Sequence, residues 1–175
     1  MNATHKRVAA ILLGMIWLTM DVQRPLTAQT ARGGDIAVVV NSDTPVSDLS
    51  LSEVRKVFLG ERQYWNSKLP VTLLIRAPQA RERDVVLKVI YQMSEAQFKQ
   101  YWVAKIFRAE AASPPKIVYS NDMQYELVTA IPGAIAFVEA RTVRPGAKVL
   151  HVDGHLPGDK DYPLRCEPVT ARPGA

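Results

Sequence analysis

The residues best placed to do chemistry are three that follow a short apolar run. Arg76 directly ends the run VTLLI, and Gln79 and Arg81 come just after it, where a helix is due to begin. Guanidinium groups beside a helix start are suited to holding an oxyanion, because fixed N–H donors and a positive dipole end meet there. Arg83 belongs to the same group, and Glu82 and Asp84 offer the simpler alternative of surface arginines paired with neighbouring carboxylates. Of the set, Arg76 is the prime candidate, since ligands of open α/β sheets bind at the carboxyl ends of strands. Asn41 and Ser42 close another apolar run, DIAVVVN. They either line a site or form the Asx-type turn that ends the strand.

Other chemistry has thin support. His151, Asp153 and His155 alternate in a way a metal could use, but Asp153-Gly154 reads as a strand end and turn. No metal site and no cofactor is expected. Tyr64, Trp65, Tyr101 and Trp102 could form a stacking platform, yet their spacing assigns most of them to packing. There is no Gly-rich phosphate loop, no GxSxG elbow and no HExxH motif. The expectation is a protein that is not an enzyme.

Elements that would position these residues can be read from periodicity. Asp35–Asn41 and Val71–Ile75 are short β-branched or aliphatic runs, as buried strands are. Between them, Ser50 and Glu53 have capping-box spacing, Leu51, Val54, Val57 and Phe58 recur helically, and Gly60 ends the helix. A helix is expected from about Ala80 to Tyr91, and another opens at Ser94 and Gln97 with Phe98, Tyr101, Trp102 and Ile106 on one face. Beyond Ser113-Pro114-Pro115 come a strand at Lys116–Tyr119, a helix capped by Asn121 and Gln124, a strand at Ala134–Glu139 and a last strand, KVLHV, at 148–152. Alternating strands and helices predict an α/β fold with a mixed, mostly parallel sheet flanked by helices. From Gly154 onward Gly, Pro and Asp accumulate, and residues 154–175 read as an irregular C-terminal tail.

The N-terminus carries a different signal. Lys6 and Arg7 precede the uncharged run VAAILLGMIWLTM, followed by Asp21, Gln23 and Arg24 and the small residues Ala28, Thr30 and Ala31. This is the order of a secretory signal peptide over residues 1–31, with a run too short to span a bilayer comfortably. A periplasmic location follows as the expectation. The formal charge of +5 falls to +3 without that segment, which takes three of the 22 basic and one of the 17 acidic residues. Basic residues are dispersed, so no nucleic-acid partner is indicated. Cys166, the one cysteine, excludes an internal disulfide.

Three segments in this order carry a resemblance: VVVNSDTPVSDLSLSEVRKVFLGERQYWN, VTLLIRAPQARERDVVL and PGAIAFVEA. Together they resemble the phosphate ABC-transporter substrate-binding family over residues 35–153. What the resemblance implies is a single lobe of a type II periplasmic binding protein-like fold, matching the family's middle lobe, whereas full-length members hold their anion between two. It implies a solute-binding-type module for a small oxyanion such as phosphate, working with a membrane transport complex. The family's Ser-Gly-Thr ligand run is replaced here by Ala77-Pro78-Gln79-Ala80-Arg81, which removes the hydroxyls and, at Pro78, one N–H. Ala136 stands where the family's PGAIG pattern has glycine. The family's phosphate ligands therefore do not carry over, and the alternative is a periplasmic protein–protein interaction module that has lost the anion site.

Overall fold

The computed structural model describes residues 34–165. The signal-peptide reading of residues 1–31 and the role of Cys166 lie outside the described residues. The chain runs β1 (Ile36–Asn41), β2 (Asp48–Leu49), α1 (Leu51–Phe58), β3 (Tyr64–Asn66), β4 (Leu69–Pro70), β5 (Thr72–Arg76) and α2 (Arg81–Val86). It continues through a π-helical turn at Leu87–Tyr91, α3 (Glu95–Phe107), β6 (Lys116–Val118), α4 (Asn121–Ala130), β7 (Ala134–Glu139), β8 (Ala147–Val149) and β9 (His151–Val152).

The main sheet has the order β6-β5-β7-β1-β8. β5 pairs parallel with β6 and β7, while β1 lies antiparallel between β7 and β8. Four strands thus share one direction and β1 alone opposes them. Helices cover both faces, as near-continuous apolar strands require. Strand alternation sorts the core into two sets. Ile36, Val38, Val40, Ile75, Ile135 and Phe137 join Val54, Phe58, Ile90, Phe98 and Trp102 from the α1–α3 layer. Ala37, Val39, Leu74, Ala134, Ala136 and Val138 face Tyr125 and Val128 of α4. The alanines on that second face let α4 lie close to the sheet, so Ala136 is a packing residue.

Local signals set the helix ends. Ser50 with Glu53 and Ser94 with Gln97 both form complete capping boxes, and Gly60, at φ +68°, ends α1. α4 is capped one residue earlier than expected: the Ser120 hydroxyl, rather than Asn121, accepts the Met123 N–H at 3.1 Å. Ile106 was expected on the buried face of α3, but it is 38% exposed while Lys105 takes the inner position.

The run KVLHV is two strands, not one. Leu150 donates its N–H to Val38 O at 2.9 Å, after which His151–Val152 leave the main sheet to pair in parallel with β2. Residues 154–165 hold no helix or longer strand, yet they pack: Tyr162 and Leu164 are core residues, and the Tyr162 hydroxyl donates to Ile36 O at 2.6 Å. Periodicity cannot report such a segment, because its burial depends on single residues anchoring turns.

Two contacts tie the layers together. Trp65 donates its Nε1–H to Gly133 O at 2.8 Å, where the β3–β4 hairpin meets the turn before β7. Across the sheet's other edge, Arg83 is 2% exposed. Its Nε and Nη2 donate to both Glu95 carboxylate oxygens at 2.8 and 2.9 Å, its Nη1 donates to Arg76 O at 2.7 Å, and its guanidinium lies 4.9 Å from the Phe98 ring centroid. The Arg83 hydrogen bonds hold the Glu95 carboxyl below the usual carboxylate range.

Two predictions follow from these contacts. Gly133 sits at φ +78°, and a Cβ there would lie 2.2 Å from Pro70 O. Gly133→Ala should cost at least about 3 kcal/mol in urea unfolding, combining left-handed strain with overpacking; a cost below about 1 kcal/mol would show that this turn relaxes freely. Because the folded Glu95 carboxyl is depressed, its stabilisation is full above the ordinary value of about 4.3 and is lost as pH falls through the folded value. Glu95→Gln should therefore cost about 1 kcal/mol at pH 7, discounted for partial exposure, and progressively less as pH falls through the folded value of the wild-type carboxyl. A gap between wild type and variant that is constant with pH would refute this.

Candidate functional site

The direction of β1 decides which candidate residues can meet. Asn41 ends β1 beside the start of β7, because Val40 pairs with Ile135. Arg76 ends β5 at the opposite edge, paired with Val118 of β6. α4 starts near Arg76 and finishes near Asn41, so the two groups are separated by the length of its ten residues, roughly 15 Å. The structure does not bring Asn41 and Ser42 together with Arg76, Gln79 and Arg81.

At its own edge, Asn41 is fully engaged. Its amide donates to Val128 O and Thr129 O at 3.0 and 2.9 Å, satisfying carbonyls at the end of α4. Its Oδ1 accepts the Asp43 N–H at 3.0 Å, the Asx turn that closes the strand. Ser42 is exposed, and its hydroxyl reaches only Asp43 Oδ1 at 3.4 Å.

Arg76, Gln79 and Arg81 do share one edge. After β5, Ala77-Pro78-Gln79-Ala80 folds back, with the Ala80 N–H donating to Ala77 O at 3.3 Å. Proline second and a positive φ third, +75° at Gln79, are features of a type II turn. Glycine is the usual residue at that third position; Gln79 accepts the strain and leaves its side chain exposed. Arg81 opens α2 with its side chain 45% exposed and lies 3.5 Å from Glu139 Oε1 at the end of β7. Arg83, by contrast, is an internal strut paired with Glu95 rather than with Glu82 or Asp84.

Arg76 differs from all of these. Its Nε and Nη1 are buried, and neither has a hydrogen-bond partner among the described residues. It forms no ion pair among them. Its backbone carbonyl is fixed by Arg83, so the side chain projects from a rigid point. A buried N–H without a partner costs about 1–3 kcal/mol, which makes this the most under-satisfied cation of the sheet edge. Across from it, the first turns of α4 add Asn121 and Gln124, each with a buried side-chain oxygen that also lacks a partner. Gln124 is fully buried and donates its amide to Phe137 O at 2.7 Å, which fixes its orientation against β7. Sequence periodicity marked Asn121 and Gln124 only as a capping pair and gave no sign of Glu139 or Glu95, whose roles depend on contacts distant in sequence.

The other candidates resolve into structure. Trp65 and Trp102 are core residues, Tyr101 is half-buried with its hydroxyl donating to Leu59 O at 2.8 Å, and Tyr64 is exposed. Burial pushes the Tyr91 and Tyr162 hydroxyls up, beyond any range in which they would act as acids or bases near neutrality. His151 Nδ1 lies 3.2 Å from Ser47 O, and Asp153 Oδ1 accepts the Leu51 N–H at 3.0 Å, at the start of α1. Among the described residues, no group of three or more metal-ligating side chains converges. No helix among the described residues is long and apolar enough to cross a membrane.

No family model and no curated protein matches the chain. Solved structures do. A phosphate ABC transporter substrate-binding protein with bound phosphate from Clostridium perfringens matches with a TM-score of 0.57 at 18% identity, over 71% of this chain and 47% of its own. An ABC-type phosphate transport receptor from Vibrio cholerae matches with a TM-score of 0.57 at 18% identity, over 71% and 48%. PstS from Borrelia burgdorferi gives 0.59 at 12% identity, over 75% and 54%. The chain spans about half the length of the structures it matches. At these identities the similarity establishes the fold, which is that of a single lobe of a periplasmic binding protein-like architecture.

Proposed function

We propose that this chain is an exported, non-enzymatic solute-binding-type module whose site is the carboxyl edge of β5, with Arg76 as the principal anion ligand. The observation that carries this reading is the pair of buried, unpartnered N–H groups on Arg76, held at the end of a strand whose backbone is fixed by Arg83. An oxyanion would supply acceptors for them once the side chain swings outward, since Nε and Nη1 are closed to solvent in the free protein. Gln79, exposed in the adjoining turn, would add an amide, while Arg81 leans on Glu139, which alternation along β7 places on the other face of the sheet from Arg76. Two further considerations agree with an anion of the phosphate class. The solved structures similar to this chain include one with phosphate bound. The N-terminal residues have the order of a secretory signal, which would place the domain in a periplasm beside a membrane transport complex.

The loop chemistry separates this site from a hydroxyl-rich one. With Ala77, Pro78 and Ala80 in the turn, recognition rests on charge and guanidinium geometry. The module should therefore discriminate poorly between phosphate and sulfate.

Calorimetric titration of inorganic phosphate and of sulfate into the wild type should show saturable binding, lost at least tenfold in Arg76→Leu. Because Arg76→Leu removes donors that are unsatisfied in the free protein, its unfolding midpoint without anion should match or exceed that of the wild type. Only the wild type should then gain stability on adding phosphate. Equal affinity in both proteins, or no heat from either anion at millimolar concentration, would overturn the reading.

A further inference from the structure

A second cleft lies at the end of β5 opposite to Arg76. It encloses about 260 Å³ between the close of α1, the β3–β4 hairpin, the first residues of β5 and the segment 111–116 that leads into β6. Its floor is apolar: Val57 and Trp102 are buried there, while Val71 and Leu73 are only half-buried. β5 lies between β6 and β7, and the aliphatic side chains of such a strand are ordinarily covered in full by the layer above. Here the cover stops short of the first residues of the strand. The outer wall is Ser113-Pro114-Pro115, whose two prolines have fixed φ, so the cleft is formed before any ligand arrives.

The rim is cationic. Arg62 and Lys116 line the cleft, and no Asp or Glu does. Arg62 is held in place: its Nε donates to Tyr64 O and its Nη2 to Trp65 O, each at 3.3 Å, and its guanidinium lies 5.2 Å from the Trp65 ring centroid. Neither Arg62 nor Lys116 forms an ion pair among the described residues. Behind the wall, Lys105 is 7% exposed and donates to Gly60 O at 3.4 Å, again with no ion pair among the described residues. The carboxylates that feel these charges, Glu53 and Glu110, are bonded to Ser50 and Arg108.

We propose that this cleft is a second binding site, for a small carboxylate with a flat apolar body: the body covers Val71, Leu73 and the Trp102 ring, and the carboxylate faces Arg62 and Lys116. An apolar floor with a few polar groups at its rim is the usual construction of a small-molecule site. The volume falls just below the roughly 300–1,000 Å³ of sites for drug-sized ligands, so the ligand is smaller than those. The unpaired cations select its charge, since an anion finds two partners here and a cation meets repulsion. An inorganic oxyanion would leave the aliphatic floor uncovered, which is why the ligand carries an apolar body. The site is independent of the oxyanion reading, because the two lie at opposite ends of β5 and share no residue.

The test is calorimetry of phenylacetate, phenylacetamide and acetate on the full chain as wild type, Lys116→Glu, Ala112→Trp and Arg76→Leu. Lys116 and Ala112 are exposed, so both changes are compatible with the fold, which the unfolding midpoint verifies. Phenylacetate should bind the wild type saturably at about millimolar concentration or below. Phenylacetamide keeps the ring without the charge, and acetate the charge without the ring; each should bind at least about fivefold more weakly. Lys116→Glu should weaken phenylacetate at least about fivefold by reversing one rim charge. Ala112→Trp, which places a large ring at the cleft, should weaken all binding there, and Arg76→Leu should leave phenylacetate unaffected. No saturable heat from phenylacetate overturns the proposal, as does equal binding of the amide or of acetate. Unchanged affinity in both Lys116→Glu and Ala112→Trp places the ligand elsewhere and overturns it too, and so does a loss in Arg76→Leu. Failure of inorganic phosphate to bind would count against the Arg76 site alone.

Discussion

A guanidinium taken out of water is tolerated only when its donors are met, and at Arg83 the rest of the edge is arranged to meet them. Glu95 closes a two-pronged pair at the first residue of α3, Arg76 O takes a third bond from the end of β5, and the Phe98 ring covers the face. One side chain on α2 thereby fixes a strand end and a second helix at once. Removing either partner of such a pair would leave an uncompensated charge or carbonyl, so the three elements are coupled in one arrangement. The turn at Ala77–Ala80 is short and passes directly over this strut. Its strained Gln79 conformation persists because both flanks, β5 and α2, are already held.

That strut explains the contrast between two arginines only seven residues apart. Arg83 is buried and satisfied; Arg76 is partly buried and has two donors left over. Near them, Arg81 and Arg141 both approach the carboxylate of Glu139. A fold under selection for stability alone would either pair Arg76 or replace it with an aliphatic residue, as most buried polar groups are paired. That contrast, at the end of a strand, is what motivates the oxyanion reading proposed above.

Much of the fold was legible because its strands are short, aliphatic and bounded by clear caps. The two capping boxes, Gly60 and the Pro132-Gly133 turn all stand where residue type alone placed them. What the sequence could not show was direction. Nothing in DIAVVVN reveals that β1 runs against its neighbours, yet that one fact sends Asn41 to the far edge and turns a candidate ligand into the cap of α4's last carbonyls. The same limit hid the tail: Tyr162 and Leu164 lie among turn residues with no periodicity, and only tertiary contact makes them core. Among the candidate residues, the place of Arg76 at the end of a strand was readable. Glu139 and Glu95 were not, because ion pairs across more than ten residues leave no mark in local spacing.

The chemistry of the turn sets how strongly this edge can grip. Each hydrogen bond to a charged group is worth about 1.5–3 kcal/mol net. Pro78 supplies no N–H, and Ala77 and Ala80 supply no hydroxyl, so on the oxyanion reading proposed above two or three guanidinium bonds would carry the interaction. Their sum, about 3–9 kcal/mol, corresponds to dissociation constants from several millimolar to just below micromolar. Tighter binding needs more donors than this turn supplies. On the oxyanion reading, contacts of that strength would release their ligand quickly, which suits an anion that is abundant.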